Sequence, residues 1–403
     1  MTSDLDLDGV RAAARLLDGV ARRTPLHSSR ALTEIVGVPV QLKCENLQRT
    51  GSFKIRGAYV RMARLGAAEQ ARGVVAASAG NHAQGVALAA GLLGLAATVY
   101  MPVDAALPKI AATRGYGATV HLVGNTVDEA LDAARAAADS TGATLIHPFD
   151  HADIVLGQAT VGLEIVEQLP EVGTIVVPVG GGGLAAGIAL AATSLRPGVR
   201  VVGVQAERAA SYPSSLAEGH PVQARELATM ADGIAIGLPG EVPFGIIRSR
   251  ADGVVTVSEE DLSRALLLLA ERAKLVVEPA GAAGVAALMS RPQGWQGPVV
   301  AVLSGGNIDP NVLLRVLRHG LASAGRYVQL GVRLSDRPGS LALLMARLAQ
   351  SGANVMHVGH VRTGTDLAID EVEIGVQAET KGPEHAAQVV ADLRSGGFEV
   401  IEG

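Results

Sequence analysis

From about residue 70 onward the chain alternates short apolar runs with longer amphipathic ones. The apolar runs carry few charges, as do strands buried on both faces of a parallel sheet. They predict strands at 73–77, 96–101, 118–123, 143–147, 174–179, 199–205, 254–257 and 299–303. Apolar residues at helical spacing lie between them and predict helices, for example at 82–93, 127–138, 154–168 and 259–273. That alternation predicts an α/β fold with open parallel sheets. Ahead of it, residues 8–19 read as an amphipathic helix and Thr24-Pro25-Leu26 as extended chain. Residues 207–250 are rich in Pro and Gly and read as an irregular segment covering a site.

The rhythm breaks at Ser323-Ala324-Gly325. Beyond it the pattern gives strand 326–334, helix 338–350, strands 354–362 and 368–377, helix 384–395 and strand 399–401. That βαββαβ order is the ferredoxin-like arrangement. It predicts a small separate domain at 326–403, after a main domain at 1–322.

Composition narrows the function classes. With 403 residues, roughly two or three domains are expected. A net charge of −5 supplies no basic field for nucleic acid or anionic lipid. Two uncharged runs, 83–103 and 174–195, are long enough to span a bilayer. Glycine clusters or Pro102 interrupt both, and each splits into a helix and a β-rich stretch, so they read as core. Cys44 is the single cysteine, which excludes an intrachain disulfide and fits a reducing cytoplasm. It lies in the strand-like stretch 38–44 and reads as a buried structural thiol. The acidic start Met1-Thr2-Ser3-Asp4-Leu5-Asp6 is not a signal peptide.

The stretch Thr50-Gly51-Ser52-Phe53-Lys54-Ile55-Arg56-Gly57-Ala58 sets a lysine between an aromatic and a β-branched residue, with glycines on both sides. One reading is an ordinary lysine at a helix start, its ammonium in water. The other is an amine pushed toward its neutral form by burial, able to form a Schiff base with an aldehyde.

Three further stretches join strands to helices. Val177-Pro178-Val179-Gly180-Gly181-Gly182-Gly183-Leu184 offers converging N–H groups and a helix N-terminus, a cradle suited to phosphate. Four successive glycines do not fit the spaced dinucleotide fingerprint. In Ser78-Ala79-Gly80-Asn81-His82, Ser78 or Asn81 can cap the helix, and the turn can also bind a carboxylate. Leu303-Ser304-Gly305-Gly306-Asn307 ends a strand with a polar group and glycines, at the strand end where ligands of parallel sheets gather.

Taken together and in this order, 52–58, 78–82, 180–184 and 304–307 resemble the pyridoxal-phosphate threonine dehydratases (threonine ammonia-lyases). The likeness runs from about residue 10 to 320. It implies the tryptophan synthase β-like fold type II, with a smaller subdomain at about 50–150. Leu334-Ser335-Asp336-Arg337-Pro338-Gly339-Ser340-Leu341 resembles the first-loop motif of an ACT regulatory domain. The resemblance implies that Lys54 holds pyridoxal 5′-phosphate as a Schiff base and acts as the catalytic base. It implies Phe53 beside the cofactor ring, Asn81 on the ring hydroxyl, and Ser304 at the pyridine nitrogen. Gly180, Gly181, Gly182, Gly183 and Leu184 would bind the phosphate. Ser78, Gly80 and His82 would hold the substrate carboxylate. Glu278 matches a pocket-wall carboxylate with no role assigned.

The chemistry implied is β-elimination of threonine to 2-oxobutanoate and ammonia, and of serine to pyruvate. A neutral Ser304 cannot hold a proton on the ring, and the weaker electron sink suits elimination. Serine racemases carry a second serine where this chain has Ala79, and a dead amino-acid sensor would have no need of Lys54. The resemblance further implies an amino-acid effector at the ACT domain, a homo-oligomer (dimer or tetramer), and a role in isoleucine biosynthesis or threonine catabolism. No metal ligand set is expected. Glu207, in the region where some relatives bind a cation, reads as a surface carboxylate.

Overall fold

The computed structural model describes residues 5–362 and 367–402. Most of the acidic start read above, residues 1–4, lies outside them. The chain divides into two units, residues 1–313 and 314–403. The strands of the first unit are β1 (Leu26–Ser28), β2 (Val40–Lys43), β3 (Val74–Ala77), β4 (Ala97–Met101), β5 (Thr119–Leu122), β6 (Thr144–Leu145), β7 (Thr174–Pro178), β8 (Arg200–Ala206), β9 (Gly253–Val257) and β10 (Val299–Val302). Those of the second are β11 (Tyr327–Ser335), β12 (Asn354–Val361), β13 (Glu371–Glu379) and β14 (Glu399–Glu402).

The first unit holds two sheets. One runs β5-β4-β3-β6 and is parallel throughout. The other runs β1-β2-β10-β7-β8-β9 and is parallel except at the short edge strand β1. The apolar runs at β3, β7, β8 and β10 are therefore the buried strands the sequence predicts, whereas the edge strand β5 is largely exposed. Val74, Ala76, Val99 and Met101 pack with Ile55, Met62, Ala83 and Val86 of the helices Lys54–Ala63 and Asn81–Leu93. Ile175, Val177, Val201, Val300 and Val302 form the second core with Leu184 and Ile188 of the helix Gly183–Leu195. The run 83–103 is thus helix plus β4, and 174–195 is β7 plus helix. No described helix is long and apolar enough to cross a membrane.

The structure corrects two expectations about the elements. Residues 207–250 are not irregular throughout, because helices form at Tyr212–Glu218 and Glu241–Arg250. Pro213 and Pro243 stand in their first turns, where a missing N–H leaves no bond unmade. The first helix also ends earlier than predicted, at Leu16.

Four charges meet in this unit, three of them buried and Glu164 partly so. Arg56, only 1% exposed, donates to Glu45 at 2.8 Å and to Glu164 at 2.7 Å, and the Lys43 amine reaches Glu164 at 2.6 Å. Two cations meet two carboxylates, so the cluster is neutral. Next to it, burial pushes the Cys44 thiol up to about 11, which leaves it unreactive.

The second unit has sheet order β12-β13-β11-β14, all antiparallel, with helices Ser340–Gln350 and Pro383–Ser395. Leu344, Leu348, Val389 and Leu393 pack on Val332, Ile374 and Val376. The chain order is βαββαβ, as the pattern predicted.

Candidate active site

The Lys54 stretch and the Ser304 loop are laced together by backbone. Ser52 and Gly305 form an antiparallel bridge. The Phe53 N–H donates to the Ser304 carbonyl at 3.2 Å, and the Gly306 N–H to the Gly51 carbonyl at 2.9 Å. The Asn307 amide closes the seam by donating to the Thr50 carbonyl at 2.6 Å. Lys54 opens its helix facing a cleft that is also lined by Phe53, Ser78, Gly80, Asn81, His82, the Gly180–Leu184 loop, Glu278 and Ser304. Every site residue singled out in the sequence borders this one cleft.

The glycine loop is built as an N–H cradle. Gly182 caps the helix Gly183–Leu195 at φ 101°, a left-handed conformation open to glycine. A side chain on Gly181 would run into the Phe149 ring, and one on Gly182 into the Tyr212 hydroxyl. The Gly181 carbonyl is held away by the Tyr212 hydroxyl at 3.3 Å and the Gly240 N–H at 3.1 Å. The first-turn N–H groups of the helix have no partner within it and carry its positive end.

The Ser78–His82 turn departs from the capping reading. Gly80 is the cap of the helix Asn81–Leu93, and no side chain bonds its first turn. Ser78 Oγ instead accepts from the Gly80 N–H at 3.1 Å. Asn81 turns sideways, donating to Glu278 at 2.7 Å and accepting from Asn307 at 2.8 Å. The uncapped N–H groups remain available to an anion. His82 is buried, with Nε2 2.8 Å from the Ile146 carbonyl. Burial, and then the Lys54 charge, lower its pKa to about 3, so the ring is neutral and donates there.

The Lys54 amine donates to the Pro148 carbonyl at 3.0 Å and lies 5.2 Å from the Phe53 ring centre. Burial lowers its pKa to about 8, against the opposing pull of Glu278. Burial, and then the Asp232 charge, raise Glu278 to about 7. Lys109 and Asp232 pair at 2.9 Å on the wall of the cleft. Sequence reasoning missed Asn307 as the partner of Asn81, the Pro148 carbonyl, and Phe149 behind the glycines. Only Asn307 had a visible signal, its place in the Ser304 motif. Glu207 is exposed in a short turn, and no described group of side chains has the arrangement of a metal site.

Comparison with known proteins agrees with this geometry. The family model described as "Pyridoxal-phosphate dependent enzyme" matches residues 17–305. An L-threonine ammonia-lyase of Thermotoga maritima is 45% identical over 98% of this chain and 99% of its own. One from Geobacter sulfurreducens is 47% identical over 94% of each chain. Among solved structures, the threonine deaminase of T.th. superposes with a TM-score of 0.72 at 43% identity, covering 75% of this chain and 99% of that one. Maize serine racemase gives 0.74 at 34%, covering 79% and 98%. The two parallel sheets are those of fold type II, and the chain belongs to the family of pyridoxal-phosphate dependent enzymes.

Proposed function

We propose that this chain is a threonine ammonia-lyase, converting L-threonine to 2-oxobutanoate and ammonia, with the water lost in the elimination returned on hydrolysis, and acting on L-serine in the same way to give pyruvate and ammonia. One observation carries the reading. A lysine amine and a glycine N–H cradle share a cleft in a chain that matches the Thermotoga enzyme almost end to end. The residues fit the cofactor. The cradle suits a phosphate, Phe149 and Tyr212 leave no room for a Cβ on Gly181 or Gly182, and a buried amine suits an aldehyde.

When bound, the cofactor supplies the sink for the electron pair left by the Cα–H bond. Gly180, Gly181, Gly182, Gly183 and Leu184 hold its phosphate. Phe53 and Ser304, which both line the cleft, would face its ring and its ring nitrogen. Asn81 has a second N–H and a second lone pair left for the ring hydroxyl. Ser78, Gly80 and His82 hold the substrate carboxylate, Ser78 through its O–H, since its oxygen accepts from the Gly80 N–H, and His82 through its backbone N–H, since its ring is committed to Ile146. Lys54 takes the Cα proton as general base, its lowered pKa placing the amine near neutral working range. The Pro148 carbonyl holds the amine in the cleft.

The same reading assigns residues 1–322 to catalysis, with a smaller subdomain at about 50–150, and 326–403 to an ACT regulatory domain with an amino-acid effector. A cytoplasmic homo-oligomer, dimer or tetramer, belongs to it, serving isoleucine biosynthesis or threonine catabolism. Serine racemisation is the second reading, favoured by the likeness to maize serine racemase. Ala79, without a hydroxyl to protonate the opposite face, opposes it. An amino-acid panel with 2-oxo acid detection, with and without isoleucine and valine, is the test. Product from threonine supports the proposal, and D-serine without 2-oxo acid overturns it.

A further inference from the structure

We propose that His147 is a positioning residue that sets the spacing between the Lys54 amine and the glycine cradle. Its Nδ1 accepts two backbone bonds, from the Phe149 N–H at 3.3 Å and the Asp150 N–H at 2.8 Å. Nδ1 therefore carries no proton, and the ring is neutral. This is the geometry of an Asx turn, made with an imidazole nitrogen in place of a carboxamide oxygen. Burial keeps it so, with a pKa lowered to about 4.

The turn it pins touches the site twice and is anchored beside it once. Pro148 presents its carbonyl to the Lys54 amine at 3.0 Å. Phe149 sets its ring behind Gly181, and the His147 ring meets that ring edge-on, with centres 4.6 Å apart. Asp150 accepts from the Val242 N–H at 2.9 Å, tying the turn to the helix Glu241–Arg250. One imidazole thus fixes four consecutive residues that bear on both the amine and the cradle. Releasing the turn would move the amine relative to the phosphate site, and small misplacements of reacting groups cost large factors in rate.

The inference rests on Lys54 as the base, and its test separates the two. His147→Asn keeps an acceptor and discards the ring. His147→Phe keeps the ring and discards the acceptor. The measurements on loaded protein are kcat and KM for threonine, the near-visible absorbance of the Lys54-bound cofactor, and the share of Lys54 trapped by borohydride in the intact mass. The Phe variant should lose about tenfold or more in kcat with KM within about threefold, and trap less cofactor on Lys54. The Asn variant should recover both readouts to within about threefold. Rescue by Phe, or failure of Asn while it still unfolds cooperatively, would overturn the inference. If the native chain forms no 2-oxo acid from any amino acid, the functional reading fails, while the trapping comparison still decides the role of His147.

Discussion

Asn81 Nδ2 lies 2.7 Å from Glu278 Oε1, joining the turn after β3 to the start of the helix Pro279–Ser290. The carboxyl it meets is buried and raised to about 7, chiefly by desolvation. The Asn81 donor favours the ionised carboxylate and opposes the rise, but burial outweighs it.

That pair makes stability depend on pH. A carboxyl raised to about 7 favours the folded state fully below its ordinary pKa near 4.5, and the benefit is lost as pH rises through about 7. Glu278→Gln keeps the acceptor for Asn81 and cannot ionise. It should raise the unfolding temperature at pH 8 by about 2–4 °C or more, with much less gain at pH 5. Equal shifts at both pH values would show that Glu278 does not titrate in this range.

Lys54→Ala should abolish 2-oxobutanoate formation and the near-visible absorbance together, with the unfolding temperature little changed. The removed amine is both the attachment point and the proposed base. Near-normal turnover in this variant would end the assignment.

Gly182→Ala should weaken cofactor binding by about tenfold or more, because φ 101° strains any Cβ and the methyl would meet Tyr212. Absorbance titration measures the affinity. Unaltered binding would mean that the cradle lies elsewhere.

Ala79→Ser should add measurable racemisation of serine, since position 79 borders the cleft beside the carboxylate-binding turn. Chiral chromatography after incubation with L-serine reads it. A native chain that already forms D-serine at a similar rate would show that Ala79 does not decide the outcome.

The parallel strands were legible because burial on both faces leaves uncharged runs, and Lys54, the glycine loop and Ser304 because each chemistry needs its residues close in sequence. The helices at Tyr212–Glu218 and Glu241–Arg250 were hidden by prolines that look like breakers but sit in first turns. That Asn81 does not cap its helix was not legible, because a polar residue after glycine looks the same whether it caps a helix or reaches Glu278, 197 residues on. The charged quartet was equally silent, since Lys43 and Glu164 are joined only by the fold.

A chain ending at Ala322 should keep turnover and lose any response to a branched-chain amino acid. Gly339→Asp should weaken the same response, by placing a negative charge at the N-terminal cap of the helix Ser340–Gln350. Threonine saturation curves with and without effector measure both. If no amino acid shifts the full-length curve and truncation alters only the oligomeric state, residues 326–403 serve assembly alone.

The strand order has a consequence for synthesis. The sheet β5-β4-β3-β6 is drawn from one continuous stretch, 74–145, and has all its strands once that stretch leaves the ribosome. In the other sheet β2, near the start of the chain, pairs with β10 at 299–302. Until β10 emerges, β2 has an open edge on one side and only the three-residue β1 on the other. The chain thus carries an unmatched early strand through most of its translation, and its early segment stays exposed to mispairing until the Ser304 loop, which follows β10, completes the site.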